Sequence, residues 1–245
     1  MSSGRGSERV LLLLEWMAEQ PGAVSLAAAS TALDAPKSSV LNLLRMLVDM
    51  GYAEKATENS YRLVRLPGEV GSGRAMHGTL LRQTRAALDA AVDRSRESGF
   101  IAVLEEDEVR YLCKALPDRE IRYDRNIEVL RNPFRVSSGI VLLTGLGQDA
   151  LAAAAREAEA SGYGDAGELV ARVEAARRDG YAVTRRGVVE GAAGVAAPIH
   201  GPGNQLVAAL NIAGPADRLA DHLDEIIEIT TTGARDASAS LARRS

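Results

Sequence analysis

The chain has 245 residues, 46% of them hydrophobic and 25% charged, with a formal net charge of −4 at pH 7. That composition belongs to a globular protein of one to two domains and excludes a mostly disordered, collagen-like or fibrous chain. The aliphatic run Val10 to Leu14 is far too short to cross a bilayer, and no export-type apolar stretch precedes it, so a cytoplasmic protein without a membrane partner is expected. One cysteine, Cys113, and three histidines far apart in sequence (His77, His200, His222) favour neither a disulfide nor a metal cluster. Neither a metal nor a cofactor is expected.

Residues 1 to 75 carry eight Lys+Arg and eight Asp+Glu, so a nucleic-acid reader here would need a basic face, because it has no basic average. Ser7 can cap a helix whose Val10, Leu13, Leu14 and Met17 recur at helical spacing, ending before Pro21-Gly22. Ser25 caps a short second helix, Leu26 to about Thr31, and a tight turn through Leu33, Asp34 and Ala35 follows. Pro36 suits the first turn of a third helix, which Gly51 closes. On a 100° wheel Val40, Leu43, Leu44, Leu47 and Met50 share one face of that helix, and Ser38, Asn42 and Arg45 share the opposite one. Arg can fork onto guanine, Asn onto adenine, and Ser near a helix start can meet a phosphate. Tyr52 to Ala56, a turn at Thr57-Glu58-Asn59, and Ser60 to Val64 read as a hairpin, with Lys55 and Arg62 available to phosphates. Helix, helix, turn, helix and hairpin make a winged helix-turn-helix over residues 1–66, with double-stranded DNA as its partner. The competing view is that any amphipathic helix must expose something polar.

Pro67, Gly68, Gly71 and Gly73 interrupt the chain, and Ala75 to Ser98 then reads as a helix with an apolar stripe from Leu80 to Val92. We assign residues 67–99 to a linker helix. Its stripe either packs on a neighbour or pairs with a second copy, and we take it as the pairing surface of a homodimer or tetramer.

Residues 100–245 alternate short strands with helices, which argues for an α+β domain with an antiparallel sheet flanked by helices. Strands are expected at Phe100–Glu105, Val109–Ala115, Ile121–Arg125, Tyr181–Thr184, Ala192–His200 and Gln205–Ala213, with Gly214-Pro215 stopping the last. Helices are expected at Gly139–Leu146, Asp149–Ala160, Ala166–Asp179 and Asp217 towards Arg243. In the last hairpin one face carries Ala192, Gly194 and Ala196 beside Val207, Ala209, Asn211 and Ala213. Such small side chains leave either a cavity or room for a closely packed helix. Gly162 to Gly167 satisfies G-x-G-x-x-G, and Gly145 to Ala150 a looser version, but both lie between helices, so the dinucleotide context is missing. Cys113, alternating with Val109 and Tyr111, is expected to pack in the sheet. An enzyme or nucleotide-binding protein using this domain, with the first serving assembly, is the alternative to a regulator.

Leu33-Asp34-Ala35-Pro36-Lys37-Ser38-Ser39-Val40, Leu43-Leu44 through Gly51-Tyr52, Asp179-Gly180-Tyr181-Ala182-Val183, Ala196-Ala197-Pro198-Ile199 and Ala208-Ala209-Leu210-Asn211-Ile212-Ala213-Gly214-Pro215 together resemble the IclR family of bacterial transcriptional regulators. The resemblance implies a winged helix-turn-helix, a linker helix and a GAF-like effector-binding domain. It implies DNA contacts from Lys37, Ser38, Ser39, Asn42, Arg45, Lys55 and Arg62, and an effector pocket at Ser137, Ser138, Thr184, Gly194, Asn211 and Ala213. Arg185 could add charge if it turns inward. Where the family often has acidic residues, Thr184, Arg185 and Arg186 stand here, and Gly194 replaces a common Cys or Ser. Because Ser137 and Ser138 fall at a helix start, the expected effector is an organic or aromatic acid.

Overall fold

The computed structural model describes residues 3–20, 22–64, 66, 77–185 and 189–242. By internal contacts the chain divides between Arg82 and Gln83 into two compact units. Residues 67–76, part of the expected linker segment, lie outside the described residues, as does Arg186.

In the first unit, α1 (Ser3–Glu19), α2 (Leu26–Ala32) and α3 (Lys37–Asp49) precede a hairpin of β2 (Ala53–Thr57) and β3 (Ser60–Leu63). Ser25 ends a two-residue strand, β1 (Val24–Ser25), and its hydroxyl accepts the Ala28 N–H at 3.1 Å, capping α2. That strand went unread in the sequence because two residues carry no periodicity; it pairs with β3, Val24 opposite Tyr61, giving the sheet order β1-β3-β2. Asp34 takes the left-handed conformation (φ 45°) that the tight turn between α2 and α3 requires. Leu13, Met17, Val40, Leu44, Leu47 and Tyr61 fill the core. Burying each large apolar side chain contributes roughly 1.5–3 kcal/mol, which holds the short helices in place. Met50, expected on the buried face of α3, is instead 53% exposed, because it follows the helix as its C-cap just before Gly51 turns the chain away.

In the second unit, β4 (Ser98–Glu105), β5 (Glu108–Ala115), β6 (Ala182–Thr184), β7 (Ala192–His200) and β8 (Leu206–Pro215) form one antiparallel sheet in the order β5-β4-β8-β7-β6. Strands β7 and β8 set Gly194 opposite Ala213 and Ala196 opposite Asn211. The small-residue face is covered by α5 (Ser137–Leu143), α6 (Gln148–Ala160) and α7 (Ala166–Asp179), with Leu143, Leu151, Ala155 and Val173 packed against Phe100, Ala102, Ala196 and Ala209. The opposite face carries α9 (Leu223–Ala242), where Gly233 lies close to Leu210 and the Ser238 hydroxyl accepts the His200 N–H at 2.9 Å. Thus the helix that packs closely on the small-residue face is α5, and the C-terminal helix lies on the other side of the sheet.

Other sequence expectations change as well, beginning with Ser7, which lies inside α1 and does not cap it. The helix α4 (Gly78–Ser95), within which the two units divide, spends the C-terminal part of its apolar stripe internally: Leu88, Ala91 and Val92 are buried, with Leu88 and Val92 against Gly99 and Ala91 against Gly233. These three cannot serve as a pairing surface. Ile121–Arg125 is irregular chain and no strand, since polar Arg122, Asp124 and Arg125 interrupt it and no ladder partner remains. Gly214-Pro215 does not stop β8, which runs to Pro215 because Ala192 still pairs opposite it. The final helix is split into α8 (Ala216–Asp221) and α9 by the non-helical His222. Finally, Ser137 and Ser138 begin α5 itself, which is seven residues long and ends at Leu143, and Val136 occupies the capping position. Gly139 explains the tight entry: a Cβ there would sit 2.2 Å from the Pro133 carbonyl oxygen.

Candidate functional sites

On α3 the apolar stripe turns Val40, Leu44 and Leu47 inward and leaves Lys37, Ser38, Asn42 and Arg45 exposed, with Ser39 half-buried. No side chain caps this helix; the Pro36 carbonyl accepts from Ser39 and Val40 N–H, and Lys37 and Ser38 stand exposed at the helix start. Such a helix start suits a phosphate. Arg45 and exposed Lys55 of β2 line one groove of about 250 Å³ between α3 and the hairpin. Arg62 faces Glu54 across the β2–β3 ladder, 3.6 Å away, so its charge is already partly answered.

In the second unit Ser137, Thr184, Gly194, Asn211 and Ala213 converge on one interior cavity. Asn211 Nδ2 donates to Ser137 Oγ at 3.0 Å and to the Val195 carbonyl at 2.9 Å, and the Ser138 hydroxyl shares a 2.7 Å hydrogen bond with the Tyr111 hydroxyl. The two serines are thus tied to the sheet and do not cap their own helix. Gly194 keeps the network open, since a Cβ there would lie 3.1 Å from Asn211 Nδ2 and 3.3 Å from Ser137 Oγ. Burial pushes the Tyr111 phenol above its ordinary range, with Arg125 and the Ser138 hydrogen bond acting in the opposite direction. The phenol therefore stays neutral.

The cavity measures about 20 Å³, room for roughly one water. Thr184, only 9% exposed, presents a buried hydroxyl oxygen without a hydrogen-bond partner. Arg185 does not line it: it is exposed and lines a larger cavity of about 750 Å³ with Glu190, Asp217 and Leu219, which shares Ala193 and Gly194 with the smaller one. Sequence reasoning missed Arg125, Tyr123 and Tyr111, which line the interior cavity. Arg125 and Tyr123 lay hidden in a stretch read as a strand. The alternation expected of Val109, Tyr111 and Cys113 is broken by a bulge opposite Ile101 and Ala102, which leaves Cys113 half-buried while Val109 and Tyr111 are fully buried. The two glycine motifs lie at the α5–α6 and α6–α7 connections. Among the described residues no group of three or more His, Cys, Asp or Glu could hold a metal ion, and no helix is long and apolar enough to cross a membrane.

The chain thus pairs a three-helix unit and its short wing with an antiparallel-sheet domain that holds a polar cavity. Two family models match the chain: the IclR helix-turn-helix domain over residues 7–56, and the bacterial transcriptional regulator IclR C-terminal domain over residues 75–239. The chain belongs to the IclR family of transcriptional regulators, which is not a family of enzymes; the enzyme alternative falls with that assignment. It is similar to the Pca regulon regulatory protein of Pseudomonas putida, 24% identical over 217 residues, covering 86% of this chain and 74% of that protein. Among solved structures it is similar to an IclR homolog complexed with 4-hydroxybenzoate from Microbacterium hydrocarbonoxydans, at 21% identity and a TM-score of 0.59, covering 96% of this chain and 98% of that one. It is also similar to an IclR transcriptional regulator from Alicyclobacillus acidocaldarius, at 17% identity and a TM-score of 0.61, covering 97% and 99%.

Proposed function

We propose that this cytoplasmic regulator reads an operator with α3, through Lys37, Ser38, Ser39, Asn42 and Arg45, while Lys55 and Arg62 of the wing meet phosphates. In this reading residues 1–66 bind DNA, 67–99 connect, and 100–245 bind a small carboxylate-bearing metabolite that changes DNA affinity. The observation that carries the DNA half is the exposed Ser38-Asn42-Arg45 face on an uncapped helix that shares a groove with Lys55. Interior polar groups at Ser137, Ser138, Thr184 and Asn211, around small Gly194 and Ala213, support the effector half. One wing makes few base contacts, so specific binding calls for a symmetric homodimer, or a tetramer, on two half-sites. The 4-hydroxybenzoate in the Microbacterium homolog is consistent with an acid as effector.

The test selects bound duplexes from a random pool with the full chain and then screens organic acids for a change in operator affinity. A recovered two-half-site sequence, and an acid that shifts affinity by roughly 5–150-fold, are expected. Binding without sequence preference would overturn the operator reading. The absence of any effect from acids would overturn the effector reading.

A further inference from the structure

We infer that Arg125 is the anion anchor of the interior cavity: its guanidinium takes the carboxylate of a small organic acid, with the Thr184 hydroxyl as a second donor. The inference rests on the proposed role of this cavity as the effector site and names the residue that would give it its preference for acids.

Arg125 comes from the irregular chain between β5 and α5, and its guanidinium carbon lies 4.2 Å from the Tyr111 ring centre, 5.3 Å from that of Phe100 and 5.4 Å from that of Tyr123. Aromatic faces attract a cation and fix its plane. Its Nε and Nη2 donate to the Tyr123 hydroxyl at 3.3 and 3.0 Å, while Nη1 is buried and has no hydrogen-bond partner. Among the described residues no carboxylate pairs with the guanidinium, whose polar neighbours are the phenols of Tyr111 and Tyr123.

Arg110 pairs with Glu105, and Arg119 and Arg218 both pair with Glu97; the other arginine lining the cavity, Arg135, is exposed and lies 5.9 Å over the Tyr163 ring. Even the adjacent carboxylate is unavailable, because Asp124 is engaged by Lys114, whose ammonium also reaches the Arg125 carbonyl at 3.4 Å. A half-buried guanidinium with one idle donor and no counter-charge is costly unless something supplies the anion. Among the described residues lining the same cavity, the other unpartnered buried polar atom is Thr184 Oγ1, at the β6 edge. Arg guanidinium and a carboxylate match fork to fork, and a hydroxyl fits a remaining lone pair. The cavity is not enclosed and has room for roughly one water, about 20 Å³, whose place the carboxylate takes beside Arg125. A charge already fixed in place by three rings then meets the ligand without reorganising.

Calorimetry on the full chain decides this, using acetate, pyruvate, benzoate and 4-hydroxybenzoate, each against its neutral amide. The wild type should bind at least one acid tenfold or more tightly than the amide. Arg125→Gln should weaken that acid by roughly 10–100-fold and leave the amide unchanged. Arg125→Lys should retain more affinity than Arg125→Gln, and Thr184→Val should lose several-fold. Thermal melting of the unliganded variants checks that each still folds. Acid-over-amide preference surviving intact in Arg125→Gln would overturn the assignment to Arg125 and leave the cavity as the effector site. A wild type that prefers none of the acids would overturn both.

Discussion

The two units expose their polar chemistry in opposite ways. On α3 the serine, asparagine and arginine project into water and are ready to exchange that water for base edges and phosphates. Around the interior cavity the same residue types are sealed: Ser138 is fully buried, Asn211 is 2% exposed, and nearly every donor already has a protein partner. An exposed reading face contributes little to stability and is needed only by its ligand. A sealed polar cluster contributes to both, because each group removed strands a buried partner. Changes on the exposed α3 face should therefore separate binding from folding, and changes in the buried Ser137, Ser138 and Asn211 cluster should not.

The largest effect should come from Gly139→Ala, where the new methyl meets the Pro133 backbone at 2.2–2.6 Å and no flexible side chain can yield. A loss of roughly 3 kcal/mol or more is expected in denaturant unfolding, since overpacking against backbone exceeds the usual range of ~1–3 kcal/mol. A variant as stable as wild type would show that α5 can shift, and with it the wall of the cavity.

Next comes Asn211→Ala, which removes donors from the Ser137 hydroxyl and the Val195 carbonyl. Leaving buried acceptors unmet should cost about 2 kcal/mol, and acid binding should fall in the same variant. If calorimetry showed unchanged acid affinity alongside the loss of stability, Asn211 would be a purely structural group.

Arg45→Ala sharpens the contrast from the other side. Operator affinity should drop by roughly 1–3 kcal/mol at fixed salt while unfolding stability stays within about 0.5 kcal/mol. Unchanged affinity would mean that the reading face lies elsewhere on α3. The smallest change is expected of Lys55→Ala, which should weaken all duplexes alike and flatten the slope of log affinity against log salt by about 1. A loss confined to one sequence would make Lys55 a base reader.

Much of the first unit was legible because its determinants are local. The Ser25 cap, the Asp34 turn, the closing Gly51 and the 3.6-residue periodicity of Val40, Leu44 and Leu47 all act within a few residues of where they stand. In the second unit most helices and strands were readable for the same reason, and α7 and β7 begin and end where their patterns do. The resemblance brought Ser137, Thr184, Gly194, Asn211 and Ala213 to one place, but it was silent on Arg125.

What the sequence by itself determined is which segments form helices and strands and which of their faces are apolar, since backbone periodicity and caps are properties of neighbouring residues. Tertiary structure alone decided what those faces meet. The α4 stripe, open in sequence to a second copy, is partly spent on Gly99 and Gly233; the small-residue face of β7 and β8 holds α5 while α9 covers the other side. Arg125 follows the same logic. Its setting among Phe100, Tyr111 and Tyr123 joins an irregular loop to two strands, and contacts across such separations leave no periodic trace in the chain.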